Sequence, residues 1–179
     1  MTATATALLT FAEFEQLPDP TNGDRLELHH GEVISVPPPK LGHTLIQGNL
    51  TDNLVPRFRA AGRVLTEVGF RTPGGRNYRI ADVAFVTKAR LAASSDDGYL
   101  EGAPELVVEV LSPSNSASEM LDREQLCLEN GTLEFWVVDP KRRQVRVSKQ
   151  EGRPRSYKAG DEIPLMFGGS LAVDSIFEA

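Results

Sequence analysis

The chain of 179 residues contains a single cysteine, Cys127, so no intrachain disulfide can form, which agrees with a reducing compartment. No stretch approaches the ~18 consecutive apolar residues of a membrane span. Residues 1–9 are rich in threonine and alanine, but no basic segment leads into a long apolar one. They read as a frayed terminus rather than a signal peptide. The expected setting is therefore cytoplasmic, without a membrane partner. No Cys–His spacing suits zinc, and no glycine-rich phosphate loop follows a strand, Gly74-Gly75 reading instead as a hairpin turn. Repeats are also lacking. What is present, 40% hydrophobic and 25% charged residues, has the size and balance of one globular domain spanning 1–179.

The net charge of −6 gives no general attraction to nucleic acid. Its distribution is uneven. Between Lys141 and Lys158 stand eight Lys or Arg residues and one Glu, a local +7, so the rest of the chain carries −13. Two readings are open: a basic face beside an acidic metal site, or the solvated outer edge of a hairpin.

Thr10-Phe-Ala-Glu13 has the capping-box pattern and predicts a short helix to about Leu17. Arg25–His29 and Glu32–Val36 alternate as two antiparallel strands around Gly31. A long helix follows Pro37-Pro38-Pro39 and runs to about Ala61, with Pro56 near its end. Val64–Arg71, Tyr78–Val86, Glu105–Leu111, Leu133–Asp139 and Gln144–Ser148 have the β-branched and aromatic content of strands. A second capping box at Ser116-Ala-Ser-Glu119 starts a helix that ends before Gly131. Strand, helix and strand over Glu105–Asp139 predict a parallel crossover, hence an α/β or α+β domain with a mixed sheet.

Two of these aliphatic strands contain an acid, Asp82 and Glu109. A lone carboxylate there is costly to desolvate, so it needs a cation, strong hydrogen bonds or a proton, unless it lies on a wet sheet face. A divalent metal shared between the two would satisfy both. Asp139, before Pro140, reads as a turn cap. His29 and His30 point to opposite sides of a strand, which disfavours joint metal binding.

Ile80-Ala-Asp-Val-Ala-Phe-Val86, Ala103-Pro-Glu-Leu-Val-Val-Glu-Val-Leu-Ser-Pro-Ser114 and Glu134-Phe-Trp-Val-Val-Asp-Pro140 resemble the Uma family of restriction-endonuclease-like proteins. Leu26-Glu-Leu-His-His-Gly-Glu-Val33, the prolines after it and His43 match the same pattern. The resemblance implies the fold of PD-(D/E)xK nucleases, a mixed central sheet flanked by helices with an acidic metal site at the sheet's edge. It further implies that Asp82 is the aspartate of "PD", with Ala81 in place of proline, and that Glu109 is the acid of "(D/E)xK". Leu111 stands where the lysine of that motif would be. The family's lysine lies on the following helix, and Arg123 occupies that position here.

Arginine keeps the charge and can stabilise a phosphorane, but with a pKa above ~12 it cannot take a proton near neutrality. Glu32 and His43 match the family's glutamate and histidine, as an outer ligand and as a phosphate or water contact; a solvated strand position and a backbone-satisfied helix end are the plainer readings. Glu124 falls on the apolar stripe of Arg123's helix as an additional acid.

These residues lead to an endonuclease that cleaves DNA with Mg²⁺ or Mn²⁺ held by Asp82, Glu109 and the Val110 carbonyl. Phosphate contacts would come from Lys141, Arg142, Arg143 and Arg146, and a homodimer is one assembly considered. The rival reading is a catalytically silent nuclease fold that binds or regulates, favoured by arginine at position 123.

Overall fold

The computed structural model describes residues 8–113 and 115–178. Of the segment expected to fray, residues 1–7 lie outside that range, and Leu9 is anchored by donating its N–H to the Gly31 carbonyl at 2.8 Å. Helix α1 (Phe11–Phe14) opens on the Thr10 capping box and is shorter than its pattern predicts. Pro18 disfavours helical backbone at Leu17, and the last turn loosens before it. Strands β1 (Arg25–His29) and β2 (Glu32–Val36) form the predicted hairpin. Its turn residues, His30 and Gly31, both have positive φ (51° and 92°), as a tight right-twisting hairpin requires.

Helix α2 (Leu41–Phe58) accommodates Pro56 in its last turn and buries Ile46, Leu50, Leu54 and Phe58. Strands β3 (Gly62–Arg71) and β4 (Tyr78–Thr87) pair along almost their whole length. Helix α3 (Lys88–Ala93) and the two-residue β5 (Leu100–Glu101) precede β6 (Leu106–Val110), α4 (Ala117–Glu129) and β7 (Glu134–Asp139). The chain closes with β8 (Gln144–Lys149), β9 (Arg155–Lys158), the small hairpin of β10 (Glu162–Pro164) and β11 (Ser170–Ala172), and a 3₁₀ turn.

The main sheet runs β2-β1-β4-β6-β7-β8-β9, with β3 on the other edge of β4. β6 and β7 are parallel and joined by α4, while β4 and β8 flank them antiparallel. This is the expected mixed α/β architecture. One face packs under α2 and the C-terminal segment through Phe58, Phe85, Trp136 and Ile163. The other packs under α4 through Val107, Met120, Cys127 and Phe135. Covered on both faces, β6 and β7 are buried at every residue, which explains their nearly continuous apolar sequences. Each such side chain contributes about 1.5–3 kcal/mol by burial.

One irregularity creates the site. β3 occupies one edge of β4, and the other edge is shared: β1 pairs only at Leu28 with Tyr78, and β6 pairs at Val83–Phe85. Between these contacts Arg79–Asp82 has no strand partner on that edge. Buried backbone polar groups must still be satisfied, so side chains from both helical layers enter the gap.

Candidate metal centre

Ile80 shows how the gap is filled. Its N–H donates to Glu27 Oε1 at 2.9 Å, and its carbonyl accepts from Arg123 Nη1 at 3.1 Å. The same Nη1 donates to Glu109 Oε1 at 3.0 Å, and Nη2 donates to Glu27 Oε2. Arg123 thus ties together β1, β4 and β6 from its place on α4. His29, two residues after Glu27 on the same face of β1, lies 2.6 Å from Glu27 Oε2 through Nε2.

Asp82 belongs to the other side of the gap. Its Oδ2 accepts from the Val110 N–H at 2.8 Å, beside Glu109. From α2, Gln47 Nε2 donates to the Asp82 carbonyl at 3.2 Å, to Oδ1 at 3.4 Å and to Glu67 Oε1 at 2.6 Å. Glu67 also pairs with Arg25. It sits opposite Asp82 where the β3–β4 ladder skips a pair without a change of register, and its φ of 55° marks the interruption. His43 Nε2 stands 3.1 Å from Asp82 Oδ1 but is poorly aligned. Among the described residues this buried nitrogen has no hydrogen-bond partner.

Electrostatics separates the acids. Burial raises the pKa of Glu27, but the Arg123 charge, the His29 contact and the Ile80 N–H outweigh it and hold the group at about 2. Burial prevails at Glu109: Arg123 pulls downward, while the charges of Asp82 and Glu27 add to desolvation, and the pKa is pushed up to about 8. For Arg123 burial disfavours charge, yet Glu109 and Glu27 more than compensate, raising its pKa above the ordinary guanidinium value. Burial depresses His29 despite Glu27.

Glu27 and Glu109 hold the one guanidinium and Asp82 lies across the gap beside Glu109, three carboxylates against one cation, a formal −2 when all are ionised. That charge and the hard oxygen donors fit Mg²⁺ or Mn²⁺. Among the described residues no three His, Cys, Asp or Glu side chains form a ready metal cage. Mg²⁺ commonly needs none, since one or two carboxylates hold it with waters and substrate phosphate. The buried, unbonded His43 nitrogen beside Asp82 marks further polar capacity at the same place.

Residues 11–173 match the Uma2 family, described as "Putative restriction endonuclease". The chain belongs to that family. Its fold is similar to that of a crystal structure of a "putative nuclease" from Anabaena variabilis ATCC 29413, with a TM-score of 0.79 and 23% identity, over 94% of this chain and 97% of that one. No functionally curated protein matches the chain at a significant level.

Within this Uma2 family member the expected site residues divide into two groups. Asp82, Glu109, Arg123, His43 and Val110 come together, Val110 through its N–H. Glu32 does not join them; it is exposed on β2 opposite His29. Glu124 is buried on the α4 stripe but pairs with Arg146 on β8, away from Asp82. Half of the eight cations in the basic stretch are paired within the fold, Arg146 and three more. Arg142 pairs with Asp139 at 2.8 Å, Arg143 faces Asp174 at 3.9 Å and Lys149 meets Glu134 at 2.7 Å. Asp139 caps the turn, accepting from the N–H groups of Lys141 and Arg142 at 3.0 and 3.1 Å.

Glu27, Gln47 and Glu67 were not singled out from the sequence. Glu27 lies in an alternating strand, where a polar residue ordinarily faces water. The available signal was Arg123: an arginine beside an apolar stripe and near one buried acid calls for a second acid.

Proposed function

We propose that this chain is a metal-dependent endonuclease that hydrolyses phosphodiester bonds of DNA. The observation that carries this reading is the buried acidic cluster, with its formal −2, placed at a split in the sheet of a nuclease-like fold. Asp82 and Glu109 would hold Mg²⁺ or Mn²⁺ with the Val110 carbonyl and waters. When bound, such an ion supplies a more acidic water and screens the scissile phosphate.

The chain's own residues do the positioning. The Val110 N–H and Gln47 fix the Asp82 carboxylate. Arg123, fixed between Glu27 and Glu109, keeps Glu109 turned into the gap and lowers the cost of its charge. With its pKa raised, Arg123 does not accept a proton; its contribution is electrostatic. His43 Nε2 is available to hold a water or a phosphate oxygen. We place the reaction in the cytoplasm and in one domain; sedimentation velocity tests whether two copies associate.

One observation favours a second reading, a silent nuclease fold that binds or regulates. Arg123 already uses Nη1 on Ile80 and Glu109 and Nη2 on Glu27, so it has little left for a phosphate. Calorimetric titration with Mn²⁺ discriminates. The enzyme reading predicts binding that Asp82→Ala abolishes, and absence of binding to the unaltered protein supports the silent fold. Arg123→Lys supplies the second arm, since a gain of DNA cleavage would identify a decayed enzyme.

A further inference from the structure

Arg59, Arg63 and Lys88 line a groove of about 530 Å³ completed by Ala60, Gly62 and Leu91. Arg59 caps α2, Arg63 is the second residue of β3 and Lys88 opens α3, so three elements deliver three positive charges to one place. All three residues are exposed. No carboxylate lines the groove, and among the described residues none of the three cations forms an ion pair. Glu105, which accepts from the neighbouring Thr87, is taken by Arg90 at 3.3 Å. The C-terminus of α2 adds only about half a negative charge, too little to balance three cations.

The frame of the groove is rigid. Gly62 and Arg63 pair with Thr87 and Val86, and the Lys88 N–H donates to the Ala61 carbonyl at 3.0 Å. A Cβ at Gly62 would lie 2.1 Å from the Val86 carbonyl oxygen, so the backbones are in direct contact. Uncompensated cations held together on a chain of net charge −6 favour an anionic ligand. Lys141, Arg153, Arg155 and Lys158 also form no ion pair among the described residues, and the groove is set apart by three cations from three elements on one lining that holds no carboxylate.

We propose that the groove anchors the phosphate backbone of the DNA substrate away from the bond that is cut, an inference that rests on the nuclease reading above. From Asp82 to Lys88 the chain is extended, and six residues cover ~20 Å. One DNA strand presents a phosphate every ~3.4 Å of axis. For a DNA strand running along β4, the anchored phosphate would stand about six nucleotides from the scissile one.

The test is fluorescence anisotropy of a labelled 20-base-pair duplex with Asp82→Ala protein, which binds without cutting, at a series of salt concentrations. Adding R59Q, R63Q and K88Q together should weaken binding at least tenfold at low salt. It should also reduce the slope of log affinity against log salt by about 2 to 3, at ~0.9 per phosphate contact. The charge-retaining R59K, R63K and K88R combination should restore both, and matched melting temperatures show that the variants are folded. Unchanged affinity and slope in the glutamine variant, loss through K141Q and R142Q instead, or no duplex binding by the parent overturns the proposal. The catalytic reading fails separately: groove-dependent binding without cleavage by the unaltered protein leaves the groove standing and removes the nuclease activity.

Discussion

At the residue scale, Glu27 and Glu109 share one guanidinium and respond to it in opposite directions. Glu27 has a folded pKa of about 2, below the ordinary 4.5. Its stabilisation is present above pH 4.5 and is lost as the pH falls toward 2. Glu109, at about 8, lies above its ordinary 4.5. The folded state then binds the extra proton between pH 4.5 and 8, so the Glu109 contribution falls as the pH rises through that window. Urea denaturation as a function of pH should therefore show a decline toward pH 8 that Glu109→Gln flattens; a decline of the same slope in the variant would contradict the assignment. In the proposed centre Mn²⁺ would need the carboxylate, so metal affinity should rise with pH over the same range, with proton release. Glu27→Gln leaves the buried Arg123 charge with Glu109 as its remaining acidic partner and should cost about 2 kcal/mol in urea denaturation, the level of a lost hydrogen bond to a charged group. A cost below about 0.5 kcal/mol, the level of exposed pairs, would mean that Arg123 finds water instead.

Elements set where these side chains can reach. α4 delivers Arg123 because the Ser116–Glu119 capping box fixes its start, with Ser116 Oγ accepting from Glu119 N–H at 3.2 Å, and Met120, Glu124 and Cys127 fix its buried face. The capping boxes, the crossover and the two acids in aliphatic strands were all legible in the sequence because each depends on residues close together in the chain. Glu67 was not legible, since its role follows from a skipped ladder pair and a positive φ that a glutamate does not advertise. The pairing of the basic stretch was hidden as well: Glu124 stands 22 residues from Arg146, and Asp174 reaches Arg143 from the far end of the chain. The short strands β9, β10 and β11 lack the length that makes a period visible. The β3–β4 pair gives an element-scale prediction. Gly62→Ala drives a methyl group into the Val86 carbonyl and the Phe85 ring, so it should lower stability by about 3 kcal/mol, at the upper end for overpacking. A midpoint of urea unfolding equal to that of the parent would show that the strand start can shift.

For the whole molecule, the division of labour follows from one sheet covered on two faces. α2 brings Gln47 and His43 to Asp82, α4 brings Arg123 to Glu109, and the gap between β1 and β6 is where the two layers meet. The acidic excess of the chain is thereby partly concentrated in the gap, while unpaired cations line a groove at the other end of β4. The chain has no helix, among its described residues, long and apolar enough to cross a membrane. The central claim, that Asp82 and its neighbours form a metal-dependent centre for cutting DNA, is tested most directly by incubating supercoiled plasmid with Mn²⁺ and either the unaltered protein or Asp82→Ala. The account predicts nicking and linearisation by the unaltered protein and a rate at least about 100-fold lower in the variant, because losing Asp82 would remove the ion that stabilises transition-state charge. Equal cleavage by both proteins, or none by either, would contradict it.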